Sequence, residues 1–97
     1  MDIEFDPKKD ASNLIKHGIR LARASEFSPV AILEDTRRNY GETRYRAFGF
    51  IGNRAHALAF TVTEDRKSGS KRVRAIGLRP ATEKEIKNYD LSKEGRR

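Results

Sequence analysis

The chain has 97 residues, with 21 Lys and Arg against 14 Asp and Glu, a net charge of +7 and 36% hydrophobic residues. That length suits one domain, and five Phe and three Tyr are enough for one layer of sheet packed on helix rather than a disordered chain. With no cysteine and two histidines, disulfides, thiol catalysis and a histidine-only metal site are excluded, and no apolar run is long enough for a membrane-spanning helix.

Residues 2–6 alternate polar and apolar side chains, which predicts a short strand. Asp6 and Pro7 read as the N-cap and first position of a helix with an apolar stripe of Ala11, Leu14 and Ile15, stopped by Gly18 after Lys16 and His17. A second short helix is expected from about Leu21 to Phe27, burying Leu21, Ala24 and Phe27 and ended by Ser28-Pro29. Val30 to Leu33 reads as a buried strand, and residues 35–43 as a polar loop. Three strands follow, over residues 44–51, 55–63 and 72–79, joined by Gly52-Asn53 and by the Ser-Gly-Ser stretch within residues 65–71. In the middle strand Leu58, Phe60 and Val62 alternate with Ala57, Ala59 and Thr61, which places it at the centre of a sheet.

Thr82-Glu83-Lys84-Glu85 is a capping box that opens a last helix and turns Ile86 and Tyr89 to the sheet. The order β-α-α-β-β-β-β-α makes the fold class α+β, with a mostly antiparallel sheet of four to five strands, N-terminal helices and a C-terminal helix. Residues 1–91 form one domain and residues 92–97 a basic tail with nothing to pack against. The opening lacks a signal-peptide hydrophobic region, so a cytoplasmic protein is expected.

The cations gather between Arg37 and Arg79, and a small domain this basic usually meets a polyanion or an acidic protein, although a positive surface also serves solubility alone. Strand alternation assigns Arg72, Arg74, Ile76 and Leu78 to one face and Val73, Ala75, Gly77 and Arg79 to the other. Arg79 ends that strand before Pro80. A guanidinium held on rigid backbone suits a phosphate, although an edge arginine reaching into solvent has the same pattern. Lys16 and His17 could stabilise an anion and pass a proton, but Lys-His-Gly is also an ordinary helix C-terminus. His56 reads as a structural histidine of the central strand.

Arg37, Arg38, Arg44 and Arg46, interleaved with Tyr40 and Tyr45, suit single-stranded RNA, with Arg74 on the last strand, and a solvated charged loop has the same composition. There is no phosphate-binding glycine loop, nucleophile elbow or metal-ligand cluster, and no cofactor is expected. Catalysis would rest on acid–base and electrostatic groups. RNA cleavage by the substrate's own 2′-hydroxyl needs no more than that.

Three stretches resemble the BrnT family of toxins. Phe5-Asp6, Lys9, Asn13 and Lys16-His17-Gly18 are similar to its opening, and Gly41-Glu42-Thr43-Arg44-Tyr45 with Gly49 to its Gly-Glu-x-Arg-aromatic strand. Arg79, Ala81, Glu85 and Tyr89 follow its C-terminal pattern. The resemblance spans residues 4 to about 89 and implies a RelE-like fold and a metal-independent ribonuclease that halts translation. It also implies restraint by a BrnA-like ribbon-helix-helix antitoxin in a 2:2 complex, with DNA contacted only through the antitoxin and no membrane involved. Carried onto this chain, it makes Arg79 and Arg66 the functional arginines, with Lys16 and His17 on the active-site surface. Gly77 stands where the family carries serine and Pro80 where it carries a basic residue, and the loop around Arg66 is longer than usual. The departure at Gly77 is what a non-catalytic module, one that only sequesters an antitoxin or nucleic acid, would show.

Overall fold

The computed structural model describes residues 3–91: β1 (Ile3–Glu4), α1 (Pro7–His17), a 3-10 helix (Leu21–Glu26), β2 (Phe27–Asp35), β3 (Arg44–Ile51), β4 (Arg54–Glu64), β5 (Lys71–Pro80) and α2 (Glu83–Asn88). The tail from residue 92, expected to have no packing, and Asp2 of the first expected strand lie outside the described residues. The strands form one five-stranded sheet in the order β1-β5-β4-β3-β2, antiparallel except for β1, which runs parallel to β5. β4 is therefore central, as its alternation implied. The architecture is α+β and consistent with a RelE-like fold.

Each face of the sheet carries its own core. On one face Leu21 and Ala24 of the 3-10 helix pack with Ile19 against Ala47, Ile51, Leu58, Ala75 and Leu78. On the other, Ile86, Tyr89 and Leu91 cover Phe48, Phe50 and Ala57, with the Tyr89 ring stacked on Phe48 at 4.2 Å between centroids. The predicted capping box is present: Thr82 Oγ accepts from Glu85 N, and Glu85 Oε1 accepts from Thr82 N. Gly49 lets β2 come close to β3, because a Cβ there would collide with the Ser28 carbonyl.

Helix α1 begins at Asp6 and Pro7 and ends at Gly18, whose φ of 75° is the left-handed conformation that favours glycine. Its predicted apolar stripe is nevertheless turned outward. Ile15 is 87% exposed, Leu14 38% and Ala11 is also exposed, whereas Asp10 and Asn13 are buried. The reason is where the helix sits. β1 pairs only with Val73 and Arg74, so the outer edge of β5 at Leu78 has no strand partner.

The Asn13 side chain takes that partner's place. Its Nδ2 donates to the Leu78 carbonyl (2.8 Å), its Oδ1 accepts from Leu78 N (3.2 Å), and Nδ2 also donates to the Ile19 carbonyl (2.8 Å). Asp10 accepts from Ala22 N and from Arg20, tying α1 to the 3-10 helix. A helix docked on a strand edge must offer hydrogen bonds before apolar area.

Three further expectations are corrected. The second helix is a single 3-10 element over Leu21–Glu26, and Phe27 already belongs to β2. β2 is an edge strand with Val30 and Ile32 exposed, not a buried one, and its edge position is why Pro29, which lacks an N–H, is tolerated beside a register shift. In β5 the pairing jumps from Ala59↔Gly77 to Phe60↔Ala75, so Ile76 is a bulge. The extra residue resets the alternation. Val73, Ala75 and Leu78 all join the core under the 3-10 helix, and Arg74, Gly77 and Arg79 share the opposite face with Ala57, Ala59 and Thr61 of β4.

Candidate functional site

That opposite face carries a pocket beside α2, with Gly77, Ala59 and Phe48 among its lining residues and His17, Arg37, Arg46 and Arg79 as its polar ones. Each polar residue comes from a different element. Arg46 lies on β3 opposite Ala59, Arg79 lies on β5 opposite Ala57, and Arg37 lies in the loop after β2. His17 is the last residue of α1, carried to the pocket because Asn13 anchors that helix along the β5 edge.

Two of the three arginines are held by carboxylates. Arg79 donates from Nη1 and Nη2 to the two Glu85 oxygens, both at 2.8 Å. That bond, assisted by the Thr82 N–H, pushes the Glu85 carboxyl down to about 2. Arg37 donates from Nε and Nη2 to Asp35, again at 2.8 Å, and Asp35 also accepts from Arg37 N and the Tyr40 hydroxyl. The buried Asp35 carboxyl is thereby held well below the usual carboxylate range. Paired in this way, the guanidinium planes are fixed while N–H groups remain for another acceptor.

Arg46 differs from its neighbours. Its guanidinium lies over the Phe48 ring, 5.7 Å from the centroid, and its buried Nε has no hydrogen-bond partner. A buried donor without an acceptor is costly unless a ligand supplies one. His17 has its pKa lowered from 6.5 by burial first, then by the charges of Lys16 and Arg79. It is neutral at neutral pH and able to accept a proton.

Of the residues singled out in the sequence, the structure brings Arg79, His17, Arg37 and Arg46 together. Lys16 lines an adjoining recess that shares His17 and Gly77 with the pocket. Arg74 is exposed on the same sheet face as Arg79. Arg44 is turned to Glu42 (3.0 Å) and stacks over Tyr40 (4.3 Å), and Arg38 is exposed in the loop outside the pocket lining.

Arg66 is not brought to the pocket. It lies in the β4–β5 turn, and at about 3.3 Å per residue the distance along the chain from Ala59 is roughly 20 Å. His56 is buried with Nδ1 on the Arg54 carbonyl, in keeping with a structural role. Asp35 and Glu85, the carboxylates that hold Arg37 and Arg79, were not read from the sequence as their partners. Asp35 fell in a stretch read as loop, and Glu85 was already accounted for as a cap.

Among the described residues, no three His, Asp or Glu side chains stand together as a metal-binding group. No helix among them is long and apolar enough to cross a membrane. Fold and pocket describe a small α+β protein that gathers three arginines and a histidine on one face of its sheet. The family model described as the ribonuclease toxin BrnT of type II toxin–antitoxin systems matches residues 5–85, and the chain belongs to that family. No curated protein matches the chain.

Proposed function

We propose that this ribonuclease toxin is a metal-independent endoribonuclease whose reacting phosphate sits among Arg46, Arg79 and Arg37, with His17 as the base. The observation that carries the reading is the buried Arg46 Nε, a donor without an acceptor in a pocket whose other arginines are already fixed by carboxylates. Neutral His17 takes the proton from the substrate's 2′-hydroxyl, and the 2′-oxygen–phosphorus bond forms as the phosphorus–5′-oxygen bond breaks. The 5′-oxygen leaves with a proton from water, giving a 2′,3′-cyclic phosphate and a 5′-hydroxyl. The guanidinium groups neutralise charge growing on the non-bridging oxygens, and because Asp35 and Glu85 hold Arg37 and Arg79 beforehand, those two need little reorganisation.

Arg66, remote from the pocket, contributes to RNA held along the sheet, together with Arg38, Arg44 and Arg74. Cleavage of messenger or ribosome-bound RNA in the cytoplasm would halt translation. Restraint would come from a BrnA-like ribbon-helix-helix antitoxin in a 2:2 complex, the antitoxin alone touching DNA. Gly77, in place of the family's serine, favours a second reading, a binding module without catalysis.

Incubation of the protein with labelled single-stranded RNA in EDTA separates the two. Under the first reading RNA is cut, and Arg46→Ala or Arg79→Ala slows cutting by about 100-fold or more, as loss of one donor to a developing oxyanion does. Arg46→Ala is the cleaner variant, because Arg79→Ala leaves the Glu85 carboxylate without its partner. RNA left intact at large protein excess would leave only the binding module.

A further inference from the structure

The recess beside the arginine pocket shares His17 and Gly77 with it, so the two form one continuous cleft across β5. Gly77 lies in the lining of both, and a Cβ built there would meet no atom within 4 Å, so the space above it is open. The far wall is α1, whose Lys9, Ser12 and Lys16 line the recess. Lys9 and Lys16 lie seven positions apart, two helical turns, and therefore project from the same side of the helix. Neither has a carboxylate partner among the described ion pairs, in contrast to Arg37 and Arg79. The helix that carries them is fixed to β5 by Asn13.

From this cleft we infer a second phosphate subsite: Lys9 and Lys16 hold the backbone phosphate next to the one that enters the arginine pocket. The inference rests on the reading that RNA occupies that pocket, and it names the substrate as a strand crossing Gly77 with at least two successive phosphates engaged. Lysine suits this place. A mobile ammonium neutralises a phosphate without demanding one orientation, which a flanking nucleotide needs and a reacting one does not. Gly77 thereby gains a role of its own, since the bare floor lets the backbone pass close to the strand.

The test measures binding and cleavage separately. Two 2′-O-methylated, uncleavable probes are used, a hexanucleotide and a dinucleoside monophosphate with a single phosphate. The variants are Lys9→Glu and, as a charge-matched control, Lys8→Glu, since Lys8 is exposed on the same turn but does not line the recess. Both put an acidic group in the first turn of α1, where the helix dipole favours it, so the fold is retained. Wild type is expected to bind the hexanucleotide at least about tenfold more tightly than the dinucleoside.

Lys9→Glu should remove most of that advantage and make the log–log salt slope shallower by about 0.7, the value for one phosphate contact on a single strand. Dinucleoside binding, and hexanucleotide binding by Lys8→Glu, should stay within about twofold. Equal weakening of both probes by Lys9→Glu, equal effects of Lys8→Glu and Lys9→Glu, or no effect of Lys9→Glu would each overturn the subsite. Cleavage of unmethylated RNA is followed in parallel. Selective hexanucleotide loss without any cleavage by wild type would leave the subsite standing and remove the ribonuclease mechanism. Cleavage that is indifferent to Lys9→Glu at limiting hexanucleotide would do the reverse.

Discussion

His17 gives up its proton more readily than a free histidine because it is partly buried and stands near Lys16 and Arg79. If it is the base, it must be neutral to work, so activity rises as pH rises through its pKa. The acid limb of kcat/KM should therefore lie below pH 6.5, the ordinary histidine value. Lys16→Gln removes one of the charges that disfavour imidazolium. The His17 pKa then rises and the limb moves to higher pH, even if the plateau rate changes. His17→Gln should abolish the limb. A pH–rate profile of the three proteins decides the matter, and a limb unmoved by Lys16→Gln would assign the titration to another group. Arg46 obeys a different rule: with no carboxylate to hold it, its orientation rests on stacking over Phe48 and on whatever anion reaches its Nε.

Helix α1 shows how position outranks periodicity at the level of elements. Asn13→Ala would leave the Leu78 N–H and carbonyl and the Ile19 carbonyl without their partner, at a cost of about 2–4 kcal/mol. Ile15→Ser, on the apolar stripe read from the sequence, should change stability by about 0.5 kcal/mol or less. Urea unfolding of both variants checks this, and the opposite ranking would mean that α1 packs by its apolar stripe after all.

The features legible in the sequence were local: Asp6-Pro7 and Gly18 at the helix ends, the capping box at Thr82, and alternation along β4. What escaped depends on a partner distant in the chain. The Ile76 bulge exists only relative to Phe60 and Ala59 across the ladder, and it decides that Arg79 shares a face with Arg74 rather than with Val73. The same holds for the site. Arg37, Arg46, His17 and Arg79 were visible as residues that could serve phosphate chemistry, but their meeting depends on the bulge and on a helix docked by its polar side.

Across the whole molecule, a net charge of +7 is kept compact partly by carboxylates that tie individual arginines down. Glu85 joins α2 to β5 through Arg79, and Asp35 joins the end of β2 to the following loop through Arg37 and Tyr40. Both carboxyls titrate lower in the folded protein than their ordinary values of 4.5 and 3.8. Since folding depresses these values, the unfolded chain binds protons first as pH falls. Their stabilisation is complete above the unfolded values and is lost as pH drops toward the folded ones, which for Glu85 means from 4.5 down through about 2.

Protonation also releases Arg79 and Arg37 beside Arg46, so repulsion within the pocket adds to the loss. The urea midpoint should therefore be nearly flat from about pH 7 to 5 and fall steeply between about pH 4.5 and 2. Glu85→Gln should be less stable than wild type at neutral pH, because its amide is uncharged and cannot pair both Arg79 donors as a carboxylate does. Its midpoint should also decline less on acidification, since one of the two titrating groups is gone. A Glu85→Gln curve parallel to wild type down to pH 2 would show that the Arg79–Glu85 pair holds no share of the acid sensitivity, and that the pocket's arginines are kept apart by the sheet alone.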